Sequence, residues 1–79
     1  MFEIYGRNNC VWCDRAKELL DTKEIPYRYK NIEMDSAALL DFKILFPGKK
    51  TVPQIMKGSL YIGGYENLVE WLKHYTAKS

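Results

Sequence analysis

The sequence predicts an α/β domain: a four-stranded mixed sheet with helices on both faces, its elements in the order β-α-β-α-β-β-α. Three observations carry that prediction. Two alternating, β-rich segments bracket a helical pattern near the start, and strand–helix–strand implies a parallel pair joined by a right-handed crossover. Two short apolar segments beyond the middle are separated only by Lys57-Gly58-Ser59, which is chain enough for an antiparallel hairpin and nothing longer. The cleanest amphipathic pattern, Leu68, Trp71, Leu72 and Tyr75 at i, i+3, i+4 and i+7, predicts a final helix.

Each element has its own signal. Phe2-Glu3-Ile4-Tyr5 alternates and Gly6 breaks it, a strand and then a turn. A helix is expected over Val11–Lys23, with Ala16, Leu19 and Leu20 on one face and charges on the other. Pro26 ends the connection that follows, and Tyr27 and Tyr29 alternate with Arg28 and Lys30 in a second strand reaching about Ile32. Asp35-Ser36 reads as the N-cap of a second helix that extends to about Phe46 and is closed by Pro47-Gly48. Ala38, Leu39, Phe42, Leu45 and Phe46 make that helix apolar nearly all round, so its pattern does not single out a buried face. Pro53–Met56 and Leu60–Ile62 are the third and fourth strands, and Gly63-Gly64 breaks the chain before the last helix.

Size and charge narrow the function. Residues 1–79 hold a single domain, and 47% apolar residues suffice for a compact core and exclude a disordered chain. The net charge of +2 is slight and its Lys and Arg are scattered, so no nucleic-acid partner is expected. No apolar run approaches the ~20 residues of a membrane span. The first strand begins at residue 2 and carries Glu3, so no signal peptide is expected ahead of it. Two Cys in such a chain point to a reducing, cytoplasmic setting, and a monomer is expected.

The most informative feature is Cys10-Val11-Trp12-Cys13 at the start of the first helix. Thiols at i and i+3 are close enough to pair, and the unsatisfied N–H groups and positive dipole end there favour the thiolate, the nucleophile of thiol–disulfide exchange. A structural zinc needs four ligands, usually Cys and His; this chain has two Cys and one His, His74, which reads as a solvated helix-end residue, so no metal is expected. A purely structural disulfide is a poor account as well, because so short a loop barely constrains the unfolded chain. Redox chemistry is the stronger reading.

Three motifs, together with element order and length, resemble the glutaredoxin family over essentially the whole chain. Tyr5-Gly6-Arg7-Asn8-Asn9-Cys10-Val11-Trp12-Cys13 is similar to the family's active-site segment, with a basic residue three before the first Cys. Thr51-Val52-Pro53-Gln54-Ile55 resembles its T-V-P segment, and Gly63-Gly64-Tyr65-Glu66-Asn67-Leu68 its G-G-x-x-D segment. The resemblance extends to short glutaredoxins, including those encoded by bacteriophages. Val11 and Trp12 replace the Pro and Tyr of the commonest Cys-Pro-Tyr-Cys motif, and Asn67 stands where many members have Asp. Val11 restores an N–H that proline lacks.

The resemblance implies a thioredoxin-like fold, a cis Pro53, and a glutathione-dependent dithiol enzyme with no bound cofactor and glutathione as its reductant. Cys10 would be the nucleophile and Cys13 the resolving thiol, reducing protein disulfides and protein–glutathione mixed disulfides. Glutathione would lie along Thr51, Val52 and Pro53, adding like a strand fragment to the Val52 backbone, and end at Gly64, Tyr65, Glu66 and Asn67, where helix N–H groups suit its γ-glutamyl carboxylate. Arg7 favours the thiolate or binds an anionic substrate, such as glutathione, or else is a solvated loop residue, and these readings stay open. Trp12 is read as a contact surface for partners ahead of a cover for the disulfide, since aromatics are enriched where proteins dock. Tyr5 reads as core or pocket wall and Lys17 as a solvated helix face, while Lys49 and Lys50 either attract a carboxylate or simply face solvent. The same resemblance suggests ribonucleotide reductase as one acceptor, in the host cytoplasm for a phage protein. A thioredoxin-like donor recharged by a flavoprotein reductase and a glutathione-ligated [2Fe-2S] carrier are the rival readings.

Overall fold

The computed structural model of the chain describes residues 1–75. Its elements follow the predicted order: β1 (Phe2–Gly6), α1 (Val11–Thr22), β2 (Tyr27–Asn31), α2 (Ser36–Leu45), β3 (Gln54–Lys57), β4 (Leu60–Gly63) and α3 (Tyr65–Leu72). β1 and β2 are parallel, Phe2 opposite Tyr27 through Gly6 opposite Asn31, as a crossover through α1 requires. β3 is antiparallel to both β1 and β4, which gives the sheet order β2-β1-β3-β4.

Alternation along the central strands divides the core. Phe2, Ile4 and Ile55 turn to one face, where they meet Ala16 and Leu20 of α1 and Leu68 and Leu72 of α3. Tyr5 and Met56 turn to the other, against Phe42 and Phe46 at the end of α2. Helices therefore cover both faces as expected. Tertiary packing also settles the face of α2: Ala38 and Phe42 are buried, while Leu40, Ile44 and Leu45 remain exposed.

Of the boundaries that differ from the sequence reading, four have a physical reason. Gly6 continues β1 instead of ending it, and its carbonyl accepts the Ile32 N–H at 2.8 Å. Pro53 precedes β3, because proline has no N–H to give a ladder. β4 takes in Gly63, opposite Ile55, while Tyr61 lies opposite Met56; Ile62 is the extra residue of a bulge between them. α3 stops at Leu72, yet Tyr75 beyond it still packs edge-on against Phe2, ring centroids 6.0 Å apart, alongside Trp71 at 5.6 Å.

Candidate active site

Cys10 is the N-cap of α1. Asn9 turns the chain with φ 54°, a left-handed conformation that Asn tolerates, and Cys10 follows in extended geometry. Its Sγ accepts the Cys13 N–H at 3.1 Å, so the sulfur occupies the place a Ser or Asp oxygen takes in an ordinary cap. The two cysteines are joined in a disulfide with Cα atoms 5.2 Å apart. Cys13 is wholly enclosed, whereas Cys10 keeps 7% of its surface exposed and is the member of the pair that reaches solvent. The Val52 carbonyl lies 4.0 Å from Cys10 Sγ. A disulfide sulfur has no proton to donate, so that approach is packing in the oxidised pair and brings an acceptor near the thiol after reduction.

Beside the dithiol opens a cleft of about 490 Å³. Trp12 forms one wall, Thr51, Val52 and Pro53 another, and Gly64, Tyr65, Glu66 and Asn67 line it at the start of α3. The Val52–Pro53 peptide is cis, as the resemblance implied. Arg7 is the one expected binding residue absent from this lining; its side chain is exposed, and its carbonyl accepts the Tyr29 hydroxyl at 3.1 Å. Lys49 also faces the cleft, opposite in sign to Glu66.

Gln54 and Tyr61 belong to the cleft and escaped the sequence reading. Gln54 is buried, and its amide nitrogen donates to the Thr51 carbonyl and hydroxyl at 3.0 and 3.2 Å, while its oxygen accepts from the Tyr61 hydroxyl. One amide thus ties the segment before Pro53 to β4. The available signal was a lone polar residue inside an apolar strand, which has to find partners when buried.

Trp12 is about half exposed yet held in place. Its ring centroid lies 5.4 Å from that of Tyr65, and the Arg15 guanidinium sits 5.2 Å from the ring. The same half-exposed ring is a wall of the cleft.

The two glycines before α3 divide their work unevenly. Gly63 has φ +121°, and a Cβ there would run into the Asn67 side chain at 2.6–2.9 Å. Gly64 has φ −90°, and a Cβ there would only touch the Pro53 carbonyl at 3.7 Å. The positive φ therefore sits on Gly63, one residue earlier than the cleft lining. Asn67 turns its side-chain oxygen back to accept the Gly64 N–H at 3.1 Å. Gly64 itself has no side chain with which to cap the first turn of α3. By contrast a sulfur caps α1, and the Asp35 carboxylate caps α2 through the Ala37 and Ala38 N–H groups at 3.0 and 3.4 Å. The helix start left open is the one at the cleft.

Comparison with known proteins bears on this geometry. The Glutaredoxin family model matches residues 2–62. The chain is 38% identical over 66 residues to glutaredoxin 3 of Escherichia coli K12, covering 84% of this chain and 78% of that protein. It is 35% identical over 88 aligned positions to the glutaredoxin of Enterobacteria phage T4, covering 92% of this chain and all of the phage protein. Among solved structures, glutaredoxin 1 of Francisella tularensis in complex with cacodylate superposes with a TM-score of 0.74 at 29% identity, over 91% of each chain. The fold is thioredoxin-like.

Proposed function

Because the chain belongs to the glutaredoxin family, whose members are thiol–disulfide oxidoreductases, we propose that its reductant is glutathione and its substrates are protein disulfides and protein–glutathione mixed disulfides. The observation that supports this best is the open cleft that reaches from Trp12, between the two cysteines, to the start of α3, where Gly64 offers no side-chain cap. Glutathione is a short peptide with a carboxylate at each end and one ammonium. Its cysteinyl sulfur belongs at Cys10 and its backbone beside Val52, while its γ-glutamyl carboxylate suits the free N–H groups of α3. Glu66 and Lys49 supply the two signs of charge that its ammonium and glycyl carboxylate need.

In this reading the Cys10 thiolate attacks the glutathione sulfur of a mixed disulfide, and the protein thiolate leaves. A second glutathione then releases the first as oxidised glutathione. With a protein disulfide, Cys13 closes on Cys10 and expels the bound substrate, and two glutathiones restore the pair. Ribonucleotide reductase is a fitting acceptor of that dithiol type, and the host cytoplasm a fitting place if the chain is of phage origin.

The test is NADPH consumption coupled to glutathione and glutathione reductase, run beside an assay with thioredoxin reductase alone. Turnover in the first and none in the second is expected; the reverse result would make the chain a thioredoxin-like donor. On a glutathionylated peptide, Cys10→Ser abolishes activity and Cys13→Ser retains it, because free glutathione can resolve the intermediate. Equal loss in both variants would reverse or merge the two roles.

A further inference from the structure

Cys13 Sγ is fully enclosed, and the surroundings that enclose it include a phenol. A Cβ built on Gly6 would meet Cys13 Sγ and Tyr29 Cζ each at 2.8 Å, with the Tyr29 hydroxyl nearer still. Sulfur and phenol therefore converge on one point above the Gly6 Cα, in space that any larger residue would fill. The single Tyr29 hydroxyl proton is given to the Arg7 carbonyl at 3.1 Å, so its oxygen keeps lone pairs to offer. In the disulfide Cys13 has no proton and needs no acceptor. Reduction creates an S–H in an enclosed place beside that oxygen.

We propose that Tyr29 is a positioning residue for the resolving thiol: in the reduced protein its phenol oxygen accepts the Cys13 S–H and holds Cys13 neutral while Cys10 carries the charge. This rests on the reading of Cys10 as nucleophile and Cys13 as resolving thiol. The exchange then balances as follows. The Cys10 thiolate bonds one substrate sulfur and expels the other as a thiolate, which takes up the Cys13 proton. Cys13 then bonds Cys10 Sγ, and the second substrate sulfur leaves as a thiolate. Two electrons pass from the cysteine pair to the substrate disulfide, and Tyr29 keeps its own proton throughout.

The charged groups around the phenol keep it in that state. Burial pushes Tyr29 above the ordinary phenol range, Asp14 and Glu33 add to this, and Arg7 opposes it. Lys17, paired with Asp14 at 3.5 Å, sits 4.0 Å from the Tyr29 ring centroid, a place more enclosed than the solvated face its sequence suggested.

The test follows the lone Cys13 thiol in a Cys10→Ser background, where Ser still caps α1, by the carbon-13 shift of its Cβ against pH. Replacing Tyr29→Phe there removes the acceptor for the neutral form, and the thiolate fraction at neutral pH is expected to rise roughly fivefold. Tyr27→Phe, which removes a phenol bonded to Asp21 from the same strand, should leave the midpoint in place. With Tyr29 intact, its ring-carbon signal should follow the Cys13 midpoint, a readout that needs no Tyr29 substitution to fold. An unchanged or raised midpoint in Tyr29→Phe, an equal shift in Tyr27→Phe, or a Tyr29 signal blind to Cys13 ionisation would overturn the proposal. The titration needs no turnover, so it reads independently of whether glutathione is the reductant.

Discussion

The Cys13 N–H at 3.1 Å and the positive end of α1 both act on Cys10 Sγ. Both favour the charged sulfur, so in reduced protein Cys10 should titrate below the ~8.5 of a free thiol. A thiol with a lowered folded pKa adds stability that is fully present above the unfolded value and is lost as pH falls through the folded one. Thiolate absorbance against pH, on reduced protein, checks the direction; a Cys10 midpoint at the free value would remove this electrostatic activation. The redox pair was legible in the sequence because two cysteines at i and i+3 before a helical pattern have few other uses. Gln54 was not legible, because its role depends on Thr51 and Tyr61 reaching it in space. Arg7 was legible only as a charge, and a charge before the first Cys does not say whether its side chain lines the cleft or faces solvent.

Helix starts decide what each element offers. Asn67 holds the Gly64 N–H just ahead of α3, so Asn67→Leu should cost about 1 kcal/mol of stability, read as a lower denaturant midpoint. Asn67→Asp keeps one oxygen on that N–H and frees the other for a ligand ammonium. Its catalytic efficiency with glutathionylated peptide should rise, by up to about 1 kcal/mol for an exposed charge pair. No gain in kcat/KM would place the ammonium elsewhere. The glycines allow a sharper contrast. Gly63→Ala puts a side chain at φ +121° and against Asn67, and should cost ~1–3 kcal/mol. Gly64→Ala meets only ordinary contact and should melt like the parent. From sequence the pair read as one break, since nothing in Gly-Gly says which member turns left-handed. The buried face of α2 was hidden for a related reason: apolar residues all round a helix carry no phase, and only Tyr5 and Met56 beneath it select Phe42.

At the scale of the whole molecule, one polar cluster sits beside the smaller core. Lys30 lies 3.5 Å from the Tyr5 hydroxyl, 3.6 Å from Glu3 and 3.8 Å from Asp41. Burial raises the Tyr5 phenol, with Glu3 and Asp41 adding to it against the pull of Lys30. Burial works against the Lys30 charge, but Tyr5, Glu3 and Asp41 outweigh it and raise that amine too. Both groups hold their protons more tightly folded than unfolded. Their contribution is therefore fully present below the unfolded values of 10.0 and 10.5 and is lost as pH rises through the folded ones. The denaturation midpoint of the oxidised protein, in which no thiol titrates, should stay level up to about pH 10 and fall above it, with a shallower fall in Tyr5→Phe. An equal fall in that variant would place the titration elsewhere. Element order, the parallel β1–β2 pair and the β3–β4 hairpin were readable because connection length alone separates a crossover from a hairpin, whereas the antiparallel pairing of β3 with β1 had no such signal.

The bulge in β4 shows how this sheet keeps count. Strand residues alternate by twos, and the unpaired Ile62 makes the run from Tyr61 to Gly63 odd where the partner strand is even. Tyr61, opposite Met56, packs with Phe46 on the α2 side, whereas Ile62 joins the opposite core and Gly63 leads straight into α3. The bulge sets two consecutive residues of β4 against one of β3, so Ile62 fills the core under α1 and α3 while Gly63 keeps its place opposite Ile55. Removing Ile62 would leave Tyr61 on Met56 and Gly63 on Ile55 but empty that part of the core, so the deletion should lower the melting temperature, whereas residues added at the Gly58 tip, outside the ladder, should be absorbed. Thermal melts of the two variants would separate them.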